Sequence, residues 1–153
     1  MLTKLQQFFN RYMQDTTQNT ETLEHRLQLA CAVLMVEMID IDEIVTDTEN
    51  NKIRQLLNLK FQLSDTEIES LLELATSRKQ DATDYYAFTS LLNKHYSQAQ
   101  KIKLIADLWS LAYADNELDR YEEHLVRRLA DLLHVPHHEF IKTKHRIYKK
   151  STD

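Results

Sequence analysis

The stretch Asp115-Asn116-Glu117-Leu118-Asp119-Arg120-Tyr121-Glu122 has an echo 73 positions upstream, Asp42-Glu43-Ile44-Val45-Thr46-Asp47-Thr48-Glu49. Under this single ungapped shift Asp42 falls on Asp115, Val45 on Leu118, Glu49 on Glu122, Arg54 on Arg127 and Leu56 on Leu129. Apolar positions coincide as well: Met35 with Leu108, Met38 with Leu111, Ile53 with Val126, Leu59 with Leu132 and Ile68 with Ile141. The chain therefore reads as two related halves, each an apolar helix, an acidic loop and a second, amphipathic helix.

Around this repeat the periodicity is helical throughout. Leu2, Leu5, Phe8, Phe9 and Tyr12 predict a short N-terminal docking helix over residues 2–14. The first half, 22–75, opens with a helix to about Ile39, capped by Asn19 or Thr20, whose second half is apolar almost all round. Thr46-x-x-Glu49 and Ser64-x-x-Glu67 are capping boxes for the next two helices, the first burying Ile53, Leu56, Leu57 and Leu59, the second Ile68, Leu71, Leu72 and Ala75. A connecting helix over 84–95 starts from the weaker Asp81-x-x-Asp84 signal. The second half, 98–147, opens with the box Ser97-x-x-Gln100 and a second central helix, in which Asp107 is the only charge between Leu104 and Ala114. Asp119-x-x-Glu122 then caps a helix with Tyr121, Leu125, Leu129 and Leu132 inward, and Pro136 starts the last helix.

Length and composition agree with this reading. A chain of 153 residues fits one domain that buries about two-thirds of its unfolded surface. It contains no glycine and one proline, so it lacks the residues that hairpin turns and bulges use. The expected fold is all-α, a single compact bundle of about eight helices with two pseudo-symmetric halves.

A net charge of −5 gives no reason to expect nucleic acid as partner. Between Leu27 and Asn51 there are six carboxylates and no Lys or Arg, while Lys142, Lys144, Arg146, Lys149 and Lys150 crowd the other end. The basic run reads first as a helix end that complements its own dipole. The single cysteine, Cys31, sits among apolar neighbours as a small core filler and has no internal disulfide partner, which suits a reducing compartment. The longest apolar run, Ala30 to Ile39, is interrupted by Glu37 and is about half of what a membrane span needs. No signal-peptide pattern is present, and the cytoplasm is the expected location.

The acidic loops are the candidate site. Capping accounts for Glu49 and Glu122, each at the third helical position. It does not account for Asp42 and Asp115 recurring at one distance before them, nor for Glu37, the only charge in the apolar stretch Ala30 to Ile39, with Asp40 one turn later. If the halves pack face to face, Glu37, Asp40, Asp42 and Glu49 meet Asp115, Asp119 and Glu122. Carboxylates sharing a small volume repel unless protonated or neutralised, and an all-oxygen set favours Ca²⁺, Mg²⁺ or Mn²⁺ over zinc. The competing reading is a set of caps on a solvated acidic surface. An EF-hand is excluded, since Arg120 stands where the loop needs glycine and Val126 where it needs glutamate.

Enzyme chemistry finds little support. Without glycine there is no phosphate-binding loop, dinucleotide fingerprint or nucleophile elbow. No glutamate is followed by histidine at the di-iron spacing, and His134, His137 and His138 lie in no zinc pattern. No catalytic residue and no organic cofactor are expected.

The doubled pattern resembles the TerB-like family, named for a tellurite-resistance protein. The best match is Leu111-Ala112-Tyr113-Ala114-Asp115-Asn116-Glu117-Leu118-Asp119-Arg120-Tyr121-Glu122, similar to the family's A-x-A-D-G-x-I-D-x-x-E signature, with Val36 through Glu49 as a degenerate first copy. Asn116 and Glu43 stand where the signature has glycine; Asn tolerates the left-handed conformation glycine supplies, whereas Glu does so less readily. The resemblance covers about residues 22–147. It implies a two-fold pseudosymmetric helical bundle with a metal site at Asp42, Glu49, Asp115 and Glu122, in a stress-response context. A similar domain begins the co-chaperone DjlA, but no His-Pro-Asp motif is present here. The expected function is a non-enzymatic module that binds a divalent cation and a partner protein of unknown identity, with a metal-free interaction scaffold using the acidic pole as the alternative.

Overall fold

The computed structural model describes residues 20–40, 46–81, 85–114, 118 and 120–152. The expected helix over 2–14 lies outside them. Among the described residues there are seven α-helices and no strand: α1 (Thr20–Asp40), α2 (Asp47–Phe61), α3 (Asp65–Asp81), α4 (Tyr86–His95), α5 (Gln98–Ala112), α6 (Arg120–Leu132) and α7 (His137–Thr152). None is long and apolar enough to cross a membrane.

The helix starts follow the capping chemistry. Thr46 Oγ1 accepts from the Glu49 amide while Glu49 Oε1 accepts from the Thr46 amide, at 3.1 and 3.2 Å. Ser64 with Glu67 and Ser97 with Gln100 close the same reciprocal pair. Each box satisfies two amides that the first turn leaves without an intrahelical acceptor. The Pro136 carbonyl accepts from Glu139 and Phe140, so the proline sits immediately before α7 and needs no N–H there. Tyr85 precedes α4 with no side-chain cap, and Asp81 ends α3 rather than starting α4.

The two halves pack alike. α1 packs on α3 as α5 packs on α7, α1 and α5 touch each other, α2 touches α5 as α6 touches α1, and α4 bridges α1 and α6. Exchanging α1, α2, α3 for α5, α6, α7 leaves this scheme unchanged except for α4. The core is one cluster built on the central pair, with Leu34, Met35, Met38, Leu104, Ile105, Leu108 and Trp109 fully buried. Burying such side chains contributes about 1.5–3 kcal/mol each before chain entropy is set against it.

Three further sequence assignments are corrected. Leu59 is 68% exposed, because the inward face of α2 runs through Ile53, Leu56 and Leu57 and leaves position 59 on the far side. Tyr121 is likewise 68% exposed; the inward face of α6 is rotated by one residue, so that Glu122, Leu125, Val126 and Leu129 are buried. The third correction concerns register. The shift of 73 holds through α2 and α6, where buried Glu49, Ile53, Leu56 and Leu57 match buried Glu122, Val126, Leu129 and Ala130. It drops to 72 at the following turn. Gln62 and His134, which among the described residues are the two with positive φ, at 57° and 58°, occupy the same place in the two turns. Buried Leu63 then matches Val135, and buried Ile68 matches Phe140 rather than Ile141. A left-handed residue ends each helix without glycine, with the Val135 amide reaching back to the Ala130 carbonyl at 2.9 Å.

Candidate functional site

Glu49 and Glu122 occupy matching places in the first turns of α2 and α6, and both are buried, at 4% and 6% exposure. A carboxylate out of water needs compensation. For Glu49 the cap supplies part of it: Oε1 accepts from the Thr46 amide and from Thr46 Oγ1 at 3.2 and 3.1 Å. The helix N-termini supply more, since their free amides carry partial positive charge.

Glu37 is half-buried on α1, and its partner is Tyr85, whose hydroxyl donates to Oε1 at 2.6 Å. The guanidinium of Arg128, on α6, stands 5.8 Å from the Tyr85 ring. Burial, and then the bond to Glu37, push the Tyr85 hydroxyl above its ordinary range. Sequence reasoning flagged Glu37 as needing a partner but had no signal for Tyr85, which lies 48 positions away.

Of the other sequence candidates, Asp40 is the last residue of α1. Asp42, Asp115 and Asp119 lie outside the described residues. Among the described residues no three His, Cys, Asp or Glu side chains gather as a group able to hold a metal. Glu37, Glu49 and Glu122 therefore do not form such a group by themselves. The donor chemistry suits a hard divalent ion, since every candidate offers carboxylate oxygen.

A second polar cluster lies in the core. Asp107, 2% exposed, accepts from Lys60 Nζ at 3.2 Å and Lys103 Nζ at 2.5 Å. Lys60 Nζ also stands about 6 Å from the rings of Phe61 and Tyr96. The Tyr96 hydroxyl meets Cys31 Sγ at 3.3 Å, and burial raises the Cys31 thiol to about 11. These groups border an open cleft of about 490 Å³ lined by Leu27, Phe61, Lys60 and Lys103. The arrangement answers a buried carboxylate and keeps the thiol protonated, as the core-filler reading of Cys31 expects.

Another cleft, of about 400 Å³, opens between α1, α2 and α3. Val36, Ile39, Ile53 and Leu72 form its apolar wall, Arg54 and Glu69 pair across one side, and Glu73 stands at the edge. In the second half the single tryptophan, Trp109, is fully buried against Tyr113 and Phe140. Its indole nitrogen has no hydrogen-bond partner among the described residues.

A family model described as "Tellurite resistance protein TerB" matches residues 28–145, from within α1 into α7 and across both acidic loops. No curated protein and no solved structure matches the chain significantly.

Proposed function

Because the chain belongs to the TerB family of tellurite resistance proteins, we propose that it is a non-enzymatic cytoplasmic module that binds a divalent cation at its paired acidic loops and contacts a partner protein in a stress response. The observation that supports this most is the matching burial of Glu49 and Glu122 at the heads of α2 and α6, each preceded by an aspartate, Asp42 or Asp115, at one common spacing. Caps alone do not require that aspartate. In this reading Asp42, Glu49, Asp115 and Glu122 hold the ion, and Glu37, Asp40 and Asp119 supply the surrounding negative field. The ion is Ca²⁺, Mg²⁺ or Mn²⁺, and what it supplies is neutralisation of carboxylates that otherwise repel one another.

The alternative is a metal-free scaffold whose acidic pole docks a partner. It draws support from Glu49, whose Oε1 is already engaged by Thr46. Thermal unfolding of metal-stripped protein, with and without millimolar Ca²⁺, Mg²⁺ or Mn²⁺, separates the two. A cation present at a hundred times its dissociation constant adds about 2.7 kcal/mol to the folded state. A shift that disappears in Asp42→Asn/Asp115→Asn supports the site. No shift with any cation leaves the scaffold reading, under which charge reversal at the two aspartates abolishes partner binding without metal dependence.

A further inference from the structure

The cleft between α1, α2 and α3 has a counterpart in the second half, where the chain fills it. Applying the two register shifts, Val36 corresponds to Trp109, Asn50 to Glu123, Leu72 to Lys144 and Thr76 to Tyr148. The second-half residues touch one another. Lys144 Nζ lies 5.7 Å from the Trp109 ring and 2.7 Å from Glu123 Oε1, Trp109 stacks on Tyr113, and Tyr113 meets Tyr148 edge-on at 5.7 Å. An indole, a second ring and an ammonium thus occupy the position that Val36, Leu72 and Thr76 leave open as about 400 Å³ in the first half. The cleft is an open groove at the place where the second half carries aromatic rings.

We propose that this cleft receives an aromatic side chain of a partner protein, tryptophan or phenylalanine, with a lysine or arginine beside it. The shape argument is the chain's own second half, which packs this chemistry on the same three-helix frame. The charge argument is local: among the described residues lining the cleft, Arg54 is paired with Glu69, and Glu73 adds one further negative charge. A net negative rim over an apolar floor selects a cation next to the ring. Buried aromatic anchors seated in such pockets supply a disproportionate share of interface energy. The inference rests on the partner-binding part of the proposed function but not on its cation, so its test runs in chelator.

The probes are the capped tripeptides acetyl-Lys-Trp-Lys-amide and acetyl-Asp-Trp-Asp-amide, titrated into the full chain with methyl resonances of Val36, Ile39 and Ile53 observed by NMR. The expected result is saturable shifts at those methyls with a dissociation constant below about 1 mM for the basic peptide, and at least about tenfold weaker binding of the acidic one. Glu73→Lys, on the exposed rim, should reverse the preference. Val36→Trp should remove binding by filling the cleft, and if that variant fails to fold, Glu73→Lys alone decides. Equal affinity for both peptides, or no shift at these methyls, overturns the proposal. Binding that appears only in Phe8→Ser/Phe9→Ser overturns it too, by making the chain's own N-terminal stretch the occupant. Because no metal is present, either failure leaves the cation reading standing or falling on its own thermal shift.

Discussion

The Tyr85 hydroxyl donates a 2.6 Å hydrogen bond to Glu37 Oε1, so the one carboxylate interrupting the apolar half of α1 is answered from the approach to α4. A hydrogen bond to a charged acceptor is worth about 1.5–3 kcal/mol when buried, and both partners here are only half-buried. Tyr85→Phe should lower stability by about 1.5 kcal/mol, read as a reduced urea midpoint with an unchanged slope.

Buried and half-buried tyrosines set an alkaline limit. Burial first, and then Glu37, raise the Tyr85 hydroxyl, and burial raises Tyr96 and Tyr113 in the same direction. A group whose folded pKa lies above its unfolded value keeps the folded state more protonated. Its contribution is fully present below the unfolded tyrosine value of about 10 and is lost as pH rises past it. Urea midpoints should decline gently from about pH 9 as the unfolded Cys31 thiol ionises and fall more steeply above about pH 10 as the unfolded tyrosines do, with a shallower steep phase in Tyr85→Phe.

Cys31 should be chemically silent in the folded protein. It is fully buried, and its thiol is raised from 9.0 to about 11, chiefly by burial. The thiolate is the reacting form, so aromatic disulfide reagents at pH 8 should label it only as fast as the chain unfolds. Labelling within seconds in the absence of denaturant would contradict this placement.

Removing Asp107 should cost more than removing the whole ion pair. Lys60 is 13% exposed and points its ammonium at Asp107, so Asp107→Ala strands a mostly buried charge at a cost of about 3 kcal/mol. Lys60→Met/Asp107→Leu replaces the pair with packed apolar groups and should recover most of that loss in the same urea measurement.

Cap and cation separate at the first acidic loop. Thr46→Ala removes the hydroxyl that accepts from the Glu49 amide and should cost about 1 kcal/mol while leaving any cation-dependent thermal shift in place. Glu49→Gln keeps a carbonyl oxygen for the cap and removes the charge. It should leave the apo protein within about 0.5 kcal/mol of the parent and abolish the shift if a cation binds there.

Local chemistry was legible in the residues themselves. The boxes at Thr46, Ser64 and Ser97 involve partners three positions apart, and the repeat around Asp42 and Asp115 needs only a comparison of the chain with itself. Helical periodicity and the absence of glycine led to an all-α bundle before any contact was known, because a helix satisfies its backbone within itself and declares its buried face every three or four residues. Even so, faces read from periodicity err by a fraction of a turn, as at Leu59 and Tyr121, where rotation of a helix against its neighbours chooses between adjacent apolar residues.

Only the tertiary structure decided which group answers which. Tyr85 for Glu37 and Lys60 for Asp107 lie 48 and 47 positions apart, and no spacing rule reaches that far. The slip from 73 to 72 at Gln62 and His134 became visible only when buried Ile68 and Phe140 took the same place in the two halves. That slip brings Leu72 opposite Lys144 and Thr76 opposite Tyr148, and so sets an open cleft beside Val36 against the rings around Trp109. Volume left unfilled is a property of several helices packed together, and a one-dimensional pattern carries no record of it.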